Sequence, residues 1–169
     1  PASLIDTPID YDNLTAIGCM MGSGGLIVMD EDNCMVDIAK FFLEFTVDES
    51  CGKCSPCRIG TRRLLQLLDK ITSGHGEMED LEKIEELSSH MGVSCLCALG
   101  QTASNPVVST LRYFREEYLE HINEKKCAAK KCKDLVRYTV DAAKCKGCTL
   151  CARNCPAGAI NGALKQPHV

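Results

Sequence analysis

The sequence predicts a mainly α-helical fold, a four-helix bundle followed by a small α+β unit rich in cysteine. Four segments of the 169-residue chain repeat apolar residues at helical spacing, and the net charge changes sign after the fourth. Seven of the 13 cysteines lie in two closely spaced runs. With 45% hydrophobic and 25% charged residues, the composition is typical of a globular rather than a disordered chain.

The four helices are predicted from apolar residues three and four positions apart and from capping residues at their starts. They span Cys34–Phe45, Pro56–Ser73, Glu79–Met91 and Pro106–Glu124. The predicted caps are Asn33, Ser55 and Asn105, and a proline follows the last two. Short connections between amphipathic helices are typical of a bundle. Before the bundle, residues 1–30 are predicted to be mainly loop with one strand at Leu26–Met29.

The charge is unevenly distributed along the chain. Residues 1–124 contain 9 Lys and Arg against 21 Asp and Glu, a net charge of −12. Residues 125–169 contain 10 Lys and Arg against 2 Asp, a net charge of +8, which predicts a domain boundary near Glu124–Cys127. The basic segment is either a solvated face or a patch that docks an acidic partner. Its only aromatic residue is Tyr138, which argues against nucleic acid.

No run of apolar residues is long enough for a membrane span, and the acidic, proline-containing start does not resemble a signal peptide. We therefore expect a cytoplasmic protein. An odd number of cysteines cannot all pair in disulfides, and C-x-x-C steps in such a chain favour metal ligation.

The clearest motif lies near the C-terminus, between two predicted strands at Arg137–Asp141 and Ala159–Gly162. Its spacing, C-x2-C-x2-C-x3-C-P, is that of bacterial ferredoxins that bind [4Fe–4S] clusters. The cysteines are Cys145, Cys148, Cys151 and Cys155. In two-cluster ferredoxins the fourth cysteine ligates the other cluster, and no second run follows here. We therefore expect the first half of a two-cluster domain, or else a one-cluster domain closed by Cys155.

A second run, Cys51, Cys54 and Cys57, has the same C-x2-C-x2-C spacing and leads into the second helix. Three thiolates at this spacing suit a cubane cluster, whose fourth ligand would be either Cys95 or Cys97. The positive end of the helix favours anionic thiolates. A structural zinc site with four thiolates is the alternative.

A third group, His121, Cys127 and Cys132, lies at the boundary between the acidic and basic segments. One imidazole and two thiolates are three of the four ligands of a tetrahedral zinc site, which Cys34 or Cys19 would complete. The alternative is an ordinary histidine at a helix end and two free thiols. No nucleophile and base pair is evident, so the residues predict a one-electron carrier rather than a site for an organic substrate. A zinc-binding structural module without redox activity is the alternative function.

Three segments together resemble a known family. They read MMGSGGLIVMDEDNCMVDIAKFFLEF, ESCGKCSPCRIGTRRLL and CLCALGQTASNPVVSTLRYFREEYLEHI. They are similar to the NADH-binding flavoprotein subunit of respiratory complex I. The similarity is greater to the flavoprotein (beta) subunits of soluble NAD(P)-linked [FeFe] hydrogenases, including electron-bifurcating ones, which carry a ferredoxin-like extension.

The resemblance implies one [4Fe–4S] cluster on Cys51, Cys54, Cys57 and Cys97, because Cys97 precedes Ala98-Leu99-Gly100. It implies four parts. These are the end of a ubiquitin-like β (SLBB-type) domain (1–30), a four-helix iron–sulfur domain (31–124), a hinge with a zinc site (125–136) and the first half of a ferredoxin-like domain (137–169). It also implies electron transfer between an upstream flavin and partner iron–sulfur centres in a multi-subunit redox complex. An acidic electron carrier such as ferredoxin is the expected partner of the basic segment. The family's flavin- and NAD-binding domain has no counterpart here, so we expect neither FMN nor NAD on this chain.

Overall fold

Eight α-helices form most of the regular secondary structure in the computed structural model, which describes residues 1–168. They are α1 (Tyr11–Ala16), α2 (Met35–Glu49), α3 (Ser55–Thr72), α4 (Met78–Ser94), α5 (Ala98–Thr102), α6 (Asn105–Tyr113), α7 (Arg115–Leu119) and α8 (Leu150–Asn154). Two 3₁₀ turns and one π-helical turn complete the set, at Ala2–Leu4, Lys133–Leu135 and Glu120–Glu124. None of the helices between residues 1 and 168 is long and apolar enough to cross a membrane.

The first three long helices lie where the apolar spacing predicted them, with small shifts at their ends. Helix α3 buries the side chains at i, i+3, i+4 and i+7 of one face, which are those of Leu64, Leu67, Leu68 and Ile71. Helix α2 packs against α3 and α6, and α3 packs against α4. The caps differ from the prediction, because Ser55 is already the first residue of α3 and Cys54 precedes it in an extended conformation.

The predicted fourth helix is not continuous. Phe114 leaves the helical conformation (φ −131°, ψ 36°) and separates α6 from α7, and the last turn is π-helical. A π turn contains one extra residue, so it rotates the side chains that follow around the helix axis. Here the π turn carries His121 and Ile122, whose side chains are both buried.

The predicted strands are wrong for residues 1–168, because none of the segments Leu26–Met29, Arg137–Asp141 and Ala159–Gly162 forms a strand. A β-strand requires a neighbour whose backbone completes its hydrogen-bond ladder. Among the described residues no such ladder forms, and Leu26, Ile27 and Val28 are exposed. Alternation of apolar residues alone therefore did not specify strands.

The chain divides into two compact units, Pro1–Val136 and the residues from Arg137 onward. The core of the first unit consists of apolar side chains from α2, α3, α4 and α6. The main contributors are Val36, Ala39, Leu43, Leu64, Leu68, Ile71, Leu81, Ile84, Met91, Val107 and Leu111. Several cysteines belong to the same buried cluster, so the core and the candidate metal ligands share one environment.

An ion pair between half-buried Lys70 and the buried Asp80 joins α3 to the start of α4. Asp80 accepts hydrogen bonds from the Lys70 ammonium at 2.8 Å and from the Glu77 backbone N–H at 2.9 Å. The Glu77 side chain caps the same turn in return, which makes a reciprocal capping box. Burial raises the pKa of Asp80, but the ion pair and the N–H outweigh it and hold that pKa below its usual 3.8.

We expect Asp80→Ala to lower the free energy of unfolding by about 1–3 kcal/mol, because Lys70 and the Glu77 N–H lose their acceptor. The part of the loss that depends on the Asp80 charge is fully present above pH 3.8 and decreases as the pH falls through the lowered native pKa, where wild-type Asp80 becomes protonated. Urea unfolding at pH 7 and pH 3 measures both effects. The exposed neighbour Glu79 is the control, since its surface pair with Lys83 is worth about 0–1 kcal/mol. Equal losses in the two alanine variants would contradict the prediction.

Candidate metal centres

The loop between α2 and α3 carries the first cysteine run. Gly52 has a positive φ of +68°, a conformation that favours glycine and turns the chain sharply after Cys51. Arg58 holds this turn, because one guanidinium nitrogen donates to the Gly52 carbonyl at 2.6 Å. Cys57 lies in the first turn of α3, where backbone N–H groups lack partners within the helix.

The segment between α4 and α5 carries Cys95 and Cys97 to the same loop. Cys97 is the residue that immediately precedes α5. Backbone N–H groups, that of Leu96 first and then that of Cys57, lower the pKa of the Cys54 thiol. Burial, reinforced by the nearby Cys54 and Cys57, raises the pKa of the Cys95 thiol to about 11. The structure thus brings the 51–57 loop and the 95–97 segment together.

This neighbourhood has the chemistry that an iron–sulfur cluster requires. Thiolates bind iron, and backbone N–H groups that point at sulfur stabilise the negative charge of a thiolate. Cys57 and Cys95 are buried, Cys54 is half-buried, and Cys51 and Cys97 are exposed. Five thiols therefore border this region, one more than a [4Fe–4S] cluster needs.

Gly100 provides space beside these thiols. A Cβ atom at this position would lie 2.8 Å from both Cβ and Sγ of Cys95 and 3.1 Å from Cβ of Cys57. Both distances are too short for ordinary van der Waals contact. The glycine therefore allows α5 to approach the cysteines closely.

We expect Gly100→Ala to displace Cys57 or Cys95, to cost about 1–3 kcal/mol of stability and to lower the iron retained per chain. Iron analysis after anaerobic purification, together with thermal unfolding, measures the effect. Gly92 provides a matched control inside α4, because a Cβ there would meet nothing closer than the Gln101 carbonyl oxygen at 4.0 Å. Equal iron content in the two variants would show that the close approach at Gly100 is unimportant.

A second centre is formed by Cys34, His121, Cys127 and Cys132, all of which are buried. Their ligand atoms all lie within 4.8 Å of one another. His121 Nε2 lies 3.4 Å from the sulfur of Cys34 and 3.3 Å from that of Cys132, and these two sulfurs are 3.9 Å apart. Of the two cysteines considered as the fourth member, Cys34 belongs to this group, while Cys19 is exposed.

These distances fit a tetrahedral zinc ion. Zn–S bonds of about 2.3 Å and Zn–N bonds of about 2.0 Å separate two sulfurs by about 3.8 Å and a sulfur from a nitrogen by about 3.5 Å. The hydrogen bond with Cys132 lowers the pKa of the Cys34 thiol despite its burial, and the same contact raises that of Cys132. A thiolate at Cys34 is the form that binds a metal.

The surroundings of His121 orient its ring. Nδ1 lies 2.7 Å from the backbone carbonyl oxygen of Glu117, a contact that places a proton on Nδ1 and leaves Nε2 free as a ligand atom. The Glu117 carboxylate accepts a hydrogen bond from the backbone N–H of Met35 at 2.9 Å. Glu117 therefore links His121 to the start of α2, next to Cys34.

The third group lies in the second unit, around the cysteine run from Cys145 to Cys155. Gly147 has a positive φ of +65°, and a Cβ there would lie 2.5 Å from the backbone nitrogen of Gln166. Backbone N–H groups, chiefly those of Ala159 and Ala157, lower the pKa of the Cys155 thiol. The run thus has the close backbone approach and the N–H groups that suit an iron–sulfur cluster.

His168 is a neighbour of this run that no sequence pattern indicated. Its side chain is completely buried, its backbone N–H donates to the Cys145 sulfur at 3.4 Å, and ring Nδ1 lies 3.8 Å from that sulfur. Nε2 has no hydrogen-bond partner among residues 1–168. A Cβ at Gly162 would collide with the ring, so this glycine makes room for it. No motif links a histidine 23 positions away to Cys145, and only the fold brings the two together.

Comparison with known proteins agrees with this chemistry. Residues 37–121 match the family described as the NADH-ubiquinone oxidoreductase-F iron-sulfur binding region. Residues 139–160 match a 4Fe-4S binding domain. Both matches confirm the sequence-based expectation of iron–sulfur binding regions in the two parts of the chain.

Two curated relatives illustrate the similarity. The NADP-reducing hydrogenase subunit HndC of Solidesulfovibrio fructosivorans is 54% identical over 97% of this chain and 34% of its own length. An NADH-quinone oxidoreductase subunit of Streptomyces coelicolor is 45% identical over 73% of this chain and 27% of its own length. The chain thus spans about a third of the length of the relatives it matches.

A solved structure supports the same assignment. The crystal structure of an NAD+-reducing [NiFe]-hydrogenase in the H2-reduced state superposes with a TM-score of 0.55 and 32% sequence identity. The match covers 57% of this chain and 16% of that chain. The resemblance that the cysteine motifs indicated is thereby confirmed. Since the family match covers 85 of the 169 residues, the chain belongs to the family of the NADH-ubiquinone oxidoreductase-F iron-sulfur binding region.

Proposed function

We propose that residues 31–124 hold one [4Fe–4S] cluster through Cys51, Cys54, Cys57 and Cys97. In this proposal α2, α3, α4 and the broken α6–α7 helix are the four members of a bundle, with α5 beside the cluster. The observation that carries the proposal is the close approach of the two segments at Gly100, where a Cβ atom would lie 2.8 Å from Cys95 and 3.1 Å from Cβ of Cys57. The family match over residues 37–121 supports it.

The second unit is proposed to hold another cluster in a ferredoxin-like domain that begins at residue 137. Its ligands are Cys145, Cys148, Cys151 and Cys155, and the match to a 4Fe-4S binding domain supports this assignment. The N–H groups directed at the sulfurs of Cys145 and Cys155 would stabilise their thiolates. The fourth thiolate closes this cluster, or ligates a second one as in two-cluster ferredoxins.

The buried group of Cys34, His121, Cys127 and Cys132 is proposed to bind a structural zinc ion. All four positions are taken by protein ligands, which is the arrangement of a structural rather than a catalytic zinc site. Such an ion would fasten the segment 125–136 to the start of α2. The protein would thereby hold its hinge close to the helical domain.

The function we infer is electron transfer within an NAD(P)H-linked oxidoreductase of the hydrogenase or complex I type. Iron–sulfur clusters supply one-electron transfer, and this chain positions them and sets their potentials by burial, charge and hydrogen bonds to sulfur. The electrons would pass between a flavin outside this chain and the iron–sulfur centres of partner subunits. The similarity to subunits of an NADP-reducing hydrogenase and an NADH-quinone oxidoreductase supports this reaction class.

The basic segment from residue 125 is the proposed contact for an acidic electron carrier such as ferredoxin. Its 10 Lys and Arg against 2 Asp create a field that attracts acidic proteins. The cytoplasm is the proposed location, because the thirteen cysteines, all within residues 1–168, are free thiols that suit a reducing compartment.

The competing function is a structural module that binds zinc and no iron–sulfur cluster. The second centre, considered alone, favours this alternative. Iron, zinc and acid-labile sulfide per chain after anaerobic purification distinguish the two. We expect about eight iron and eight sulfide for two clusters, or about four of each if only one is filled, with broad visible absorbance. Zinc without iron or sulfide would eliminate the electron-transfer function.

A further inference from the structure

Ser50, the residue between α2 and the cysteine loop, contacts one of the proposed cluster ligands. Its hydroxyl oxygen lies 3.2 Å from the sulfur of Cys57. The same oxygen accepts a hydrogen bond from the Gly52 backbone N–H at 3.3 Å. The positive φ of Gly52 belongs to the turn that directs this N–H back towards Ser50.

The direction of the hydrogen bonds follows from the donors available. A hydroxyl has one proton and two lone pairs, while a thiolate can only accept. Since Gly52 donates to the Ser50 oxygen, a lone pair is occupied there and the hydroxyl proton is available for Cys57. When Cys57 is a thiolate, the chain of hydrogen bonds therefore runs from the Gly52 N–H through the Ser50 hydroxyl to the Cys57 sulfur.

Burial strengthens this contact. Cys57 is 5% exposed and belongs to the apolar core, so little water competes for its sulfur. A hydrogen bond to a charged acceptor is about twice as strong as a neutral one, and a low local dielectric increases its strength further. The donor to Cys57 is a side chain, which a substitution can remove.

We propose that Ser50 is a positioning residue that orients the Cys57 thiolate by an O–H···S hydrogen bond and raises the reduction potential of the cluster bound there. Reduction adds one electron and one negative charge, while the hydroxyl proton stays on the Ser50 oxygen. A donor to the ligand sulfur stabilises the more negative, reduced state. This inference rests on the proposed function, because it requires a cluster on Cys57.

The test is the midpoint potential of the helical-domain cluster in the full chain, followed by EPR during an anaerobic redox titration with a chemical reductant. We expect Ser50→Ala to shift the potential to a more negative value at unchanged iron and sulfide content. Ser50→Thr keeps the hydroxyl and should restore the wild-type potential. Ser55→Ala is the matched control, because the Ser55 hydroxyl lies in the same region but accepts from Arg58 at 3.4 Å.

An unchanged potential in Ser50→Ala, or equal shifts in the Ala and Thr variants, would overturn the proposal. If Ser50→Ala does not retain iron, Ser50→Val replaces it, since valine has the shape of threonine without a hydroxyl. If the Ala and Val variants both lose the cluster while Ser50→Thr keeps it, the hydroxyl serves only to retain the cluster. That result would overturn the proposed effect on the reduction potential. A wild-type chain without iron and sulfide would overturn the proposed function itself, whereas a wild-type cluster indifferent to Ser50 would overturn only this inference.

Discussion

Cys97→Ala is expected to lose the helical-domain cluster or to convert it to a form with less iron. A cubane cluster has four irons, and each needs a protein ligand, so three thiolates leave one iron exposed to exchange. In a chain with both clusters filled, complete loss lowers the iron content from about eight to about four per chain. Iron and sulfide analysis and EPR of the reduced chain measure the change.

Cys95→Ala is the matched control, because Cys95 lies two positions away and borders the same thiols. Its side chain is buried in the core, and the family resemblance places the fourth ligand at Cys97 rather than at Cys95. We therefore expect Cys95→Ala to retain iron and to lose only packing stability. If Cys95→Ala loses the cluster and Cys97→Ala keeps it, the fourth ligand is Cys95 and the assignment by family resemblance is wrong.

His121→Ala is expected to weaken zinc binding by more than about 100-fold, because removing even an outer-shell partner of a zinc ligand typically costs about 10–100-fold. The loss also destabilises the fold, since zinc bound only by the native state contributes its binding free energy to stability. Zinc content and chelator competition measure the affinity, and thermal unfolding measures the stability.

The control is His90→Ala, because His90 lies on the exposed face of α4, where its Nε2 is 3.7 Å from the Glu86 carboxylate. Zinc content should be unchanged in this variant. The pair Cys34→Ser and Cys19→Ser tests the fourth ligand in the same way, with zinc loss expected only for Cys34. Full zinc occupancy in His121→Ala would rule out this centre as the zinc site.

The helices show how far local pattern determines the fold. The apolar residues of α3 lie three and four positions apart, and one face of a helix follows directly from that spacing. The interruption at Phe114 has no comparable signal, because the residues from Pro106 to Glu124 keep a helical apolar pattern throughout. The packing around this break belongs to tertiary structure. The Tyr118 hydroxyl lies 2.8 Å from that of Thr110, and His121 is buried.

The metal ligands likewise divide into those that local spacing reveals and those that only the fold identifies. Cysteines three or four positions apart are neighbours in any compact conformation, so the runs at 51–57 and 145–155 are recognisable from spacing alone. Cys34 lies 87 positions from His121, and local spacing cannot distinguish it from Cys19 as a partner. The fold makes that distinction by placing the first residues of α2 against the π-helical turn.

Ser50 and His168 illustrate what spacing cannot reveal. Each contacts the sulfur of a motif cysteine, at 3.2 Å for Ser50 and through a backbone N–H at 3.4 Å for His168. Neither residue belongs to a spacing motif with the cysteine that it contacts. Their positions depend on turns made by Gly52 and Gly147 and on space left at Gly162.

Helix periodicity and C-x-x-C spacing are local properties, so residue order alone was enough to predict a mainly helical chain with two cysteine runs of iron–sulfur type. Three features required the folded chain: the pairing of Cys34 with His121, the close approach of Gly100 to Cys57 and Cys95, and the break in the fourth helix. These features depend on contacts between residues far apart in the sequence. Only the packing of the shared core determines which distant side chains meet.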